Sequence, residues 1–281
     1  MESSELDVES ADAIAHLNLL VRLVRNGEIN LDQLDELVAP LPKPVIDVKD
    51  LVQRVVALPN DPAAQREAMV DEVKASLLEG GVDLSSENIS RVVKAMLAVP
   101  REEFLPPWAR DFAYLPYALN IGSRQTISQP FVVALMAMAA TIPPGAAVLD
   151  VGTGSGYGAA VLSMLADTVV TIEIKTKLAR DAEQQFSALG FRNITTVIGD
   201  GFAGVPAFAP FDVILVAAAA SQVPQPLVEQ LKPGGRLIMP LGPDPENEHL
   251  VMLTKQPDGT LRQVTLGPVQ FVPLTGSGAR A

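Results

Sequence analysis

The chain has 281 residues, 48% of them hydrophobic, 19% charged and 5% aromatic, a composition that fills a large aliphatic core and excludes a disordered or collagen-like polymer. Lysine and arginine number 21 against 33 aspartates and glutamates, a net charge of −12, and such an acidic surface repels phosphate backbones, so nucleic acid is not an expected partner. With no cysteine and only two histidines, His16 and His249, disulfides, thiolate chemistry and a multi-histidine metal site are excluded too.

The first residues, Met1-Glu2-Ser3-Ser4-Glu5, lack the basic start and apolar run of a signal peptide, which makes the cytoplasm the expected location. Residues 11–26 place Ile14, Leu17, Leu20, Val21 and Val24 on one face of a helix that Gly27 ends. Asn30 or Asp32 caps a second short helix through Leu34, Leu37 and Val38, and Pro40, Pro42 and Pro44 stop it. A third helix carries Val48, Leu51, Val52, Val55 and Val56, and Pro59-Asn60-Asp61-Pro62 breaks the chain again. Residues 1–62 therefore read as a helical N-terminal extension and 63–281 as the main domain. The apolar face of the extension is expected to pack on that domain or on a second copy of the chain, giving a homo-oligomer.

Helices follow over 63–80 and 86–98, the second capped by Ser85 or Ser86. Residues 131–140 form an apolar helix far short of the ~20 residues that span a bilayer, so no membrane partner is expected. From Ala146 strands and helices alternate: strands at 146–151, 168–173, 194–200, 211–218 and 235–242, helices at 158–166, 176–189 and 224–231. Strands 249–255 and 261–267 close as an antiparallel hairpin around Pro257-Asp258-Gly259. Apolar strands alternating with helices specify an α/β, doubly wound, mostly parallel sheet.

In such sheets ligands bind at the carboxyl ends of the strands, near the point where strand order reverses. Asp150-Val151-Gly152-Thr153-Gly154-Ser155-Gly156 follows the first strand, and its glycines let backbone approach a ligand at a helix N-terminus. Dinucleotide enzymes use G-x-G-x-x-G, but Tyr157 stands where the third glycine belongs, which places a nicotinamide oxidoreductase last among the readings. Glu173 ends the second strand, 21 residues after Gly152. It can accept hydrogen bonds from both hydroxyls of a ribose, or pair with Lys175 or Lys177 at the surface. Asp200, before Gly201 at the end of the third strand, can accept from an adenine amino group or serve as a turn residue.

The D-x-G-x-G-x-G loop resembles that of the Rossmann-like S-adenosylmethionine-dependent methyltransferases. More specifically, the chain resembles the protein-L-isoaspartate (D-aspartate) O-methyltransferases along Arg66–Val70, Met96–Arg101, Ile121–Pro130, Val148–Tyr157, Leu231–Arg236 and Phe271–Gly276. Gln125-Thr126-Ile127-Ser128-Gln129-Pro130 and Phe271-Val272-Pro273-Leu274-Thr275-Gly276 are the runs characteristic of that family. The resemblance implies S-adenosyl-L-methionine as cofactor, held by Asp150, Gly152, Thr153, Gly154, Gly156, Glu173, Asp200 and Gly201. It also implies an isoaspartyl peptide or protein as acceptor, methylated on its α-carboxylate at the start of repair. Thr126 and Ile127 would meet the acceptor, and Ser128 would be catalytic through a hydrogen bond to its carboxylate. Ser128 also stands where a cap of the 131–140 helix would.

An ionised carboxylate attacks a sulfonium methyl group without a general base, so the scarcity of histidine is no obstacle. Two positions depart from the family pattern. Pro116 replaces an expected acid and Arg124 an expected small residue, which makes the acceptor loop more cationic and favours an anionic partner at Arg124. Methylation of a different, dedicated carboxylate is one alternative these departures raise. A cofactor-binding module without catalysis, using the N-terminal helices as its partner surface, is another.

Overall fold

The computed structural model describes residues 11–30, 48–80 and 86–277. The expected helix around residues 32–38 and the cap at Ser85 lie outside them, as do the side chains of Ile14 and Ser86. Helices α1 (Ala11–Arg25) and α2 (Val48–Ala57) open the chain and α3 (Pro62–Glu79) and α4 (Ser86–Ala98) follow. Asp61 starts α3 by accepting a hydrogen bond from Ala64 N at 3.1 Å, with Pro62 at the first helical position. Two short 3-10 turns lead to a two-stranded hairpin, β1 (Leu119–Gly122) and β2 (Gln125–Ile127), and then to α5 (Pro130–Ala140).

The main domain continues as β3 (Ala147–Val151), α6 (Tyr157–Ser163), β4 (Thr168–Glu173), α7 (Thr176–Ala188), β5 (Ile194–Ile198) and β6 (Phe211–Val216). It closes with α8 (Gln225–Glu229), β7 (Leu231–Leu241), β8 (His249–Lys255) and β9 (Leu261–Pro268). The sheet order is β5-β4-β3-β6-β7-β8-β9, with parallel pairing from β5 through β7 and antiparallel pairing for β8 and β9. The chain enters at β3, steps outward to β5, then returns to the other side of β3, so the switch point lies between β3 and β6. The doubly wound sheet and C-terminal hairpin read from the sequence are present.

Side chains on successive strand positions point to opposite faces. Val148, Val169, Val213, Ile238 and Leu250 accordingly join one core, under α3 to α7, while Leu149, Val170, Ile214, Leu237 and Val251 join another that includes Leu227 of α8. Burial on both faces is why these strands read as continuous apolar runs.

Two regions differ from the sequence reading. The 224–231 helix contracts to five residues and the next strand begins at Leu231, because Leu231 pairs with Phe211 before a register shift that takes up Lys232-Pro233-Gly234-Gly235. The hairpin β1–β2 was not expected at all; its turn residues Ser123 and Arg124 carry φ of 56° and 55° and lack the Asn-Gly signature of such turns.

The apolar face of the N-terminal helices packs within the chain. Leu17, Leu20 and Val21 of α1 and Leu51, Val52 and Val55 of α2 share a buried cluster with Phe112 and Leu115. Asn18 Nδ2 donates to the Trp108 carbonyl at 2.7 Å, and Arg25 ties α1 to the Val55 carbonyl of α2 at 2.9 Å. Among the described residues no helix is long and apolar enough to cross a membrane.

Candidate active site

A cavity of about 780 Å³ opens at the carboxyl ends of β3, β4 and β6. Its first wall is the loop after β3. Gly152 and Gly154 have φ of 94° and 51°, a left-handed conformation that costs an L side chain roughly 1–2 kcal/mol. Both line the cavity together with Thr153 and Ser155. Gly152 N continues the sheet by donating to the Ile172 carbonyl at 2.9 Å.

Glu173 locks this loop to the next strand. It is buried, and its Oε2 accepts from Gly154 N while its Oε1 accepts from Lys175 N, each at 2.9 Å. A carboxylate oxygen has two acceptor directions, so one on each oxygen is left for a pair of hydroxyls entering from the cavity. The lysine pairing weighed from the sequence therefore involves the Lys175 backbone, whereas the Lys177 ammonium pairs with Asp181.

Beneath the loop runs a buried chain of hydroxyls. Thr171 Oγ1 donates to Asp150 Oδ2 at 2.8 Å, so its contact with Thr153 Oγ1 at 2.6 Å has Thr153 as donor. Burial pushes Asp150 up to about 7, the Thr171 hydrogen bond opposes the shift, and the nearby Glu173 charge adds to it.

A second wall comes from the hairpin and the chain after it: Thr126, Ile127, Ser128 and Gln129 all line the cavity. Gln129 occupies the cap position of α5 and no side chain caps that helix, which corrects the capping alternative for Ser128. Its hydroxyl takes part in no hydrogen bond among the described residues, and Ser128 faces the same cavity as the glycine loop and Glu173. Ile121 bridges the walls, its Cδ1 3.7 Å from the point a Gly154 Cβ would occupy. The Lys175 ammonium donates to the Ser123 carbonyl.

Three expected residues stand outside the lining. Gly156 caps α6 with φ 92°, and a Cβ there would lie 2.8 Å from Phe186 Cε1, so its lack of a side chain serves packing. Asp200 is engaged within the chain: Oδ1 accepts from Phe202 N at 2.9 Å, and Oδ2 accepts from Ser277 N and Oγ at 2.7 and 2.6 Å. Those bonds hold its carboxyl below the ordinary carboxylate range against an opposing desolvation effect. Arg124 lies exposed at the hairpin tip, and its guanidinium has no ion-pair partner among the described residues. Gly201 does line the cavity, and Val151 Cγ1 approaches so closely that no Cβ fits there.

Sequence reasoning missed a third wall. The segment from Leu266 to Thr275 lines the cavity. It is fixed by Ala219 N donating to Val272 O, Leu274 N donating to Ala219 O, both at 2.8 Å, and Phe271 N donating to Glu248 Oε2 at 2.8 Å. Its family-like residues were visible, but nothing in them indicated a return to the end of β6. Also missed was Arg101, fully buried with its guanidinium 4.9 Å over the ring of Tyr157, the first residue of α6. Its Nε donates to the Ala113 carbonyl at 2.8 Å. Burial lowers Arg101 to about 10, still protonated at neutral pH, so a cation–π contact supports the residue that ends the glycine loop.

Among the described residues no cluster of three or more His, Asp or Glu is gathered to hold a metal. The titratable residues of the lining are Asp150, Tyr157, Glu173 and Lys175. The bare-backbone loop beside a carboxylate with two open acceptor directions fits a cofactor that carries a ribose.

The family model described as protein-L-isoaspartate (D-aspartate) O-methyltransferase matches residues 73–279. Protein-L-isoaspartate O-methyltransferase 1 of Nitrosospira multiformis is 47% identical over 213 residues, 76% of this chain and 88% of its own. The protein-L-isoaspartate O-methyltransferase of Gloeobacter violaceus is 48% identical over 207 residues, covering 74% and 97%. A solved protein-L-isoaspartate O-methyltransferase superposes with a TM-score of 0.64 at 30% identity, over 74% of this chain and 67% of that one. A Plasmodium falciparum protein solved in complex with S-adenosyl-L-homocysteine shares the fold, with a TM-score of 0.62 at 23% identity, over 75% and 98%.

Proposed function

The chain belongs to the protein-L-isoaspartate (D-aspartate) O-methyltransferase family, and from that premise we propose which of its residues hold the cofactor and which hold the acceptor. It is an S-adenosyl-L-methionine-dependent enzyme of Rossmann-like fold that methylates the α-carboxylate of L-isoaspartyl residues in proteins. When bound, S-adenosyl-L-methionine supplies an electrophilic sulfonium methyl group.

Glu173 takes the ribose hydroxyls on its two open acceptor directions. Gly152, Thr153 and Gly154 pass bare backbone along the amino-acid end, with Asp150 fixing Thr153 through Thr171. Gly201 adds bare backbone to the lining, with Val151 packed where its side chain would be. Asp200 acts indirectly: by holding Ser277 it fastens the segment that contains Leu274 and Thr275.

On the acceptor side, the Ser128 hydroxyl donates to one oxygen of the isoaspartyl carboxylate, with Thr126 and Ile127 shaping the approach. The second oxygen is left free to attack. No residue has to remove a proton, because the acceptor is already ionised at neutral pH. What the protein contributes is alignment of oxygen, methyl carbon and sulfur, and positioning of this kind is worth roughly 7–11 kcal/mol of a barrier. Arg124, exposed at the hairpin tip, serves acidic groups that flank the acceptor.

The observation that carries this reading is that Ser128 and Glu173 line one and the same cavity. Radiolabelled S-adenosyl-L-methionine with matched peptides, one isoaspartyl and one aspartyl, tests it. Label should enter the isoaspartyl peptide as a base-labile ester. Absence of label from both, with cofactor demonstrably bound, would reject the acceptor assignment.

A further inference from the structure

We propose that the two N-terminal helices are a brace for the acceptor wall, so that residues preceding the family-matched region set how tightly the isoaspartyl acceptor is held; the inference rests on the placement of the acceptor at Thr126, Ile127 and Ser128.

The hairpin β1–β2 forms a sheet of its own, separate from the seven-stranded sheet. A two-stranded hairpin has little stability by itself, so its position is set by what it packs against. The hairpin meets the cofactor loop through Ile121, and Lys175 holds its Ser123 carbonyl. It meets the extension through Leu119, the first residue of β1, which packs with Trp108 and Tyr117 against the cluster in which Phe112 and Leu115 join Leu17, Leu20, Val52 and Val55. Leu119 is also the residue paired with Ile127, immediately before Ser128. A continuous path of contacts therefore runs from α1 and α2 through Leu119 and Ile127 to the catalytic serine.

Polar contacts fix the same surface. Asn18 holds the Trp108 carbonyl, and the Tyr117 hydroxyl faces Asp50 of α2 at 3.4 Å. Among the described residues none of α1 or α2 lines the cavity, so the contacts traced here reach the acceptor through the hairpin. The family match begins at residue 73, after both of them, which makes the brace an addition to the shared domain. Loosening it should widen the range of positions of Ser128 and leave Glu173 and the glycine loop where the central strands put them.

The test uses the full chain with Leu20→Ala or Val52→Ala, which thin the brace, and Asn18→Ala, which removes one hydrogen bond and keeps the apolar faces should the larger changes fail to fold. Amide exchange across residues 119–127 is expected to rise at least fivefold in the core variants. The kcat/KM for an isoaspartyl peptide should fall at least fivefold, KM rising and kcat falling, with the S-adenosyl-L-homocysteine Kd within twofold of wild type. Asn18→Ala should move exchange and kcat/KM in the same directions by a smaller factor. Faster exchange in α1 and α2 with none in 119–127 would overturn the brace, and so would an unchanged peptide kcat/KM once the hairpin had loosened. A cofactor Kd that moved as far as the peptide kcat/KM would overturn it as well. If the wild-type enzyme failed to label the peptide, the acceptor reading would fall, while the exchange measurement would still decide whether the helices hold the hairpin.

Discussion

The glycine loop hangs on β3 and β4, strands whose residues are almost all buried, while the hairpin that shares its cavity is half-buried along most of its length and forms a two-stranded sheet of its own. On the cofactor side, strand, turn and helix are consecutive in sequence, and Glu173 reaches Gly154 across one strand pairing. On the acceptor side, position depends on residues far apart in the chain, among them Leu20, Val52 and Leu119. The contrast separates a site fixed by local geometry from one fixed by distant packing. Substitutions on the first side should change affinity for the cofactor or the stability of the sheet, and those on the second should change handling of the acceptor.

The largest expected effect comes from Gly156→Ala, where a left-handed backbone and a Cβ pressed into Phe186 coincide. Backbone strain and overpacking together predict a loss of about 2–5 kcal/mol, seen as a lower midpoint in chemical denaturation. Cofactor affinity in the remaining folded protein should change little, because Gly156 touches no part of the cavity. A variant that kept its stability and lost its cofactor would reverse that assignment.

Glu173→Ala is next. Losing hydrogen bonds to a charged group should weaken S-adenosyl-L-homocysteine binding by about 1.5–3 kcal/mol, measured by calorimetry. Because Gly154 N and Lys175 N lose their acceptor too, the melting temperature should also fall. Unchanged affinity in a folded variant would remove the ribose assignment.

Ser128→Ala should lower kcat by about 10- to 100-fold, the kinetic equivalent of one hydrogen bond to a carboxylate. Cofactor affinity and melting temperature should stay at wild-type values, since Ser128 does not cap α5. Full activity in this variant would leave the acceptor without its proposed partner.

The smallest effect belongs to Arg124→Gly. Relieving a left-handed arginine should stabilise the hairpin by about 1 kcal/mol, while the preference for acceptors with acidic neighbours declines. Equal rates on acidic and neutral flanking sequences, before and after the change, would show that Arg124 faces only water.

The same contrast governs what could be read from the amino-acid sequence. β3, β4 and the loop between β3 and α6 were legible because apolar strands, glycines and an acid at a strand end each have a local cause. The beginning of β7 was not, since Lys232-Pro233-Gly234-Gly235 reads as a break and only the pairing of Leu231 with Phe211 draws it into the strand. β1 and β2 were missed because strands of four and three residues leave too short a pattern and Ser123-Arg124 gives no turn signal. Asp200 had a legible position but an illegible partner, Ser277, 77 residues away. Ser128 was placed by family likeness, and its freedom from a capping bond emerged only from the geometry of α5.

The wall that ends the cavity, Leu266 to Thr275, follows every other lining residue in the chain. A ribosome therefore delivers it after the glycine loop, Glu173 and Ser128 have all been made, at a pace of roughly 5–20 residues per second. Until then the nascent domain can assemble β3, β4 and β6 and present the loop with one side of the cavity missing. Any share of cofactor binding that this wall carries waits until Thr275 has been made, and a chain halted at Pro268 would measure it directly: its affinity for S-adenosyl-L-homocysteine, set against that of the chain described above, is what the late wall contributes.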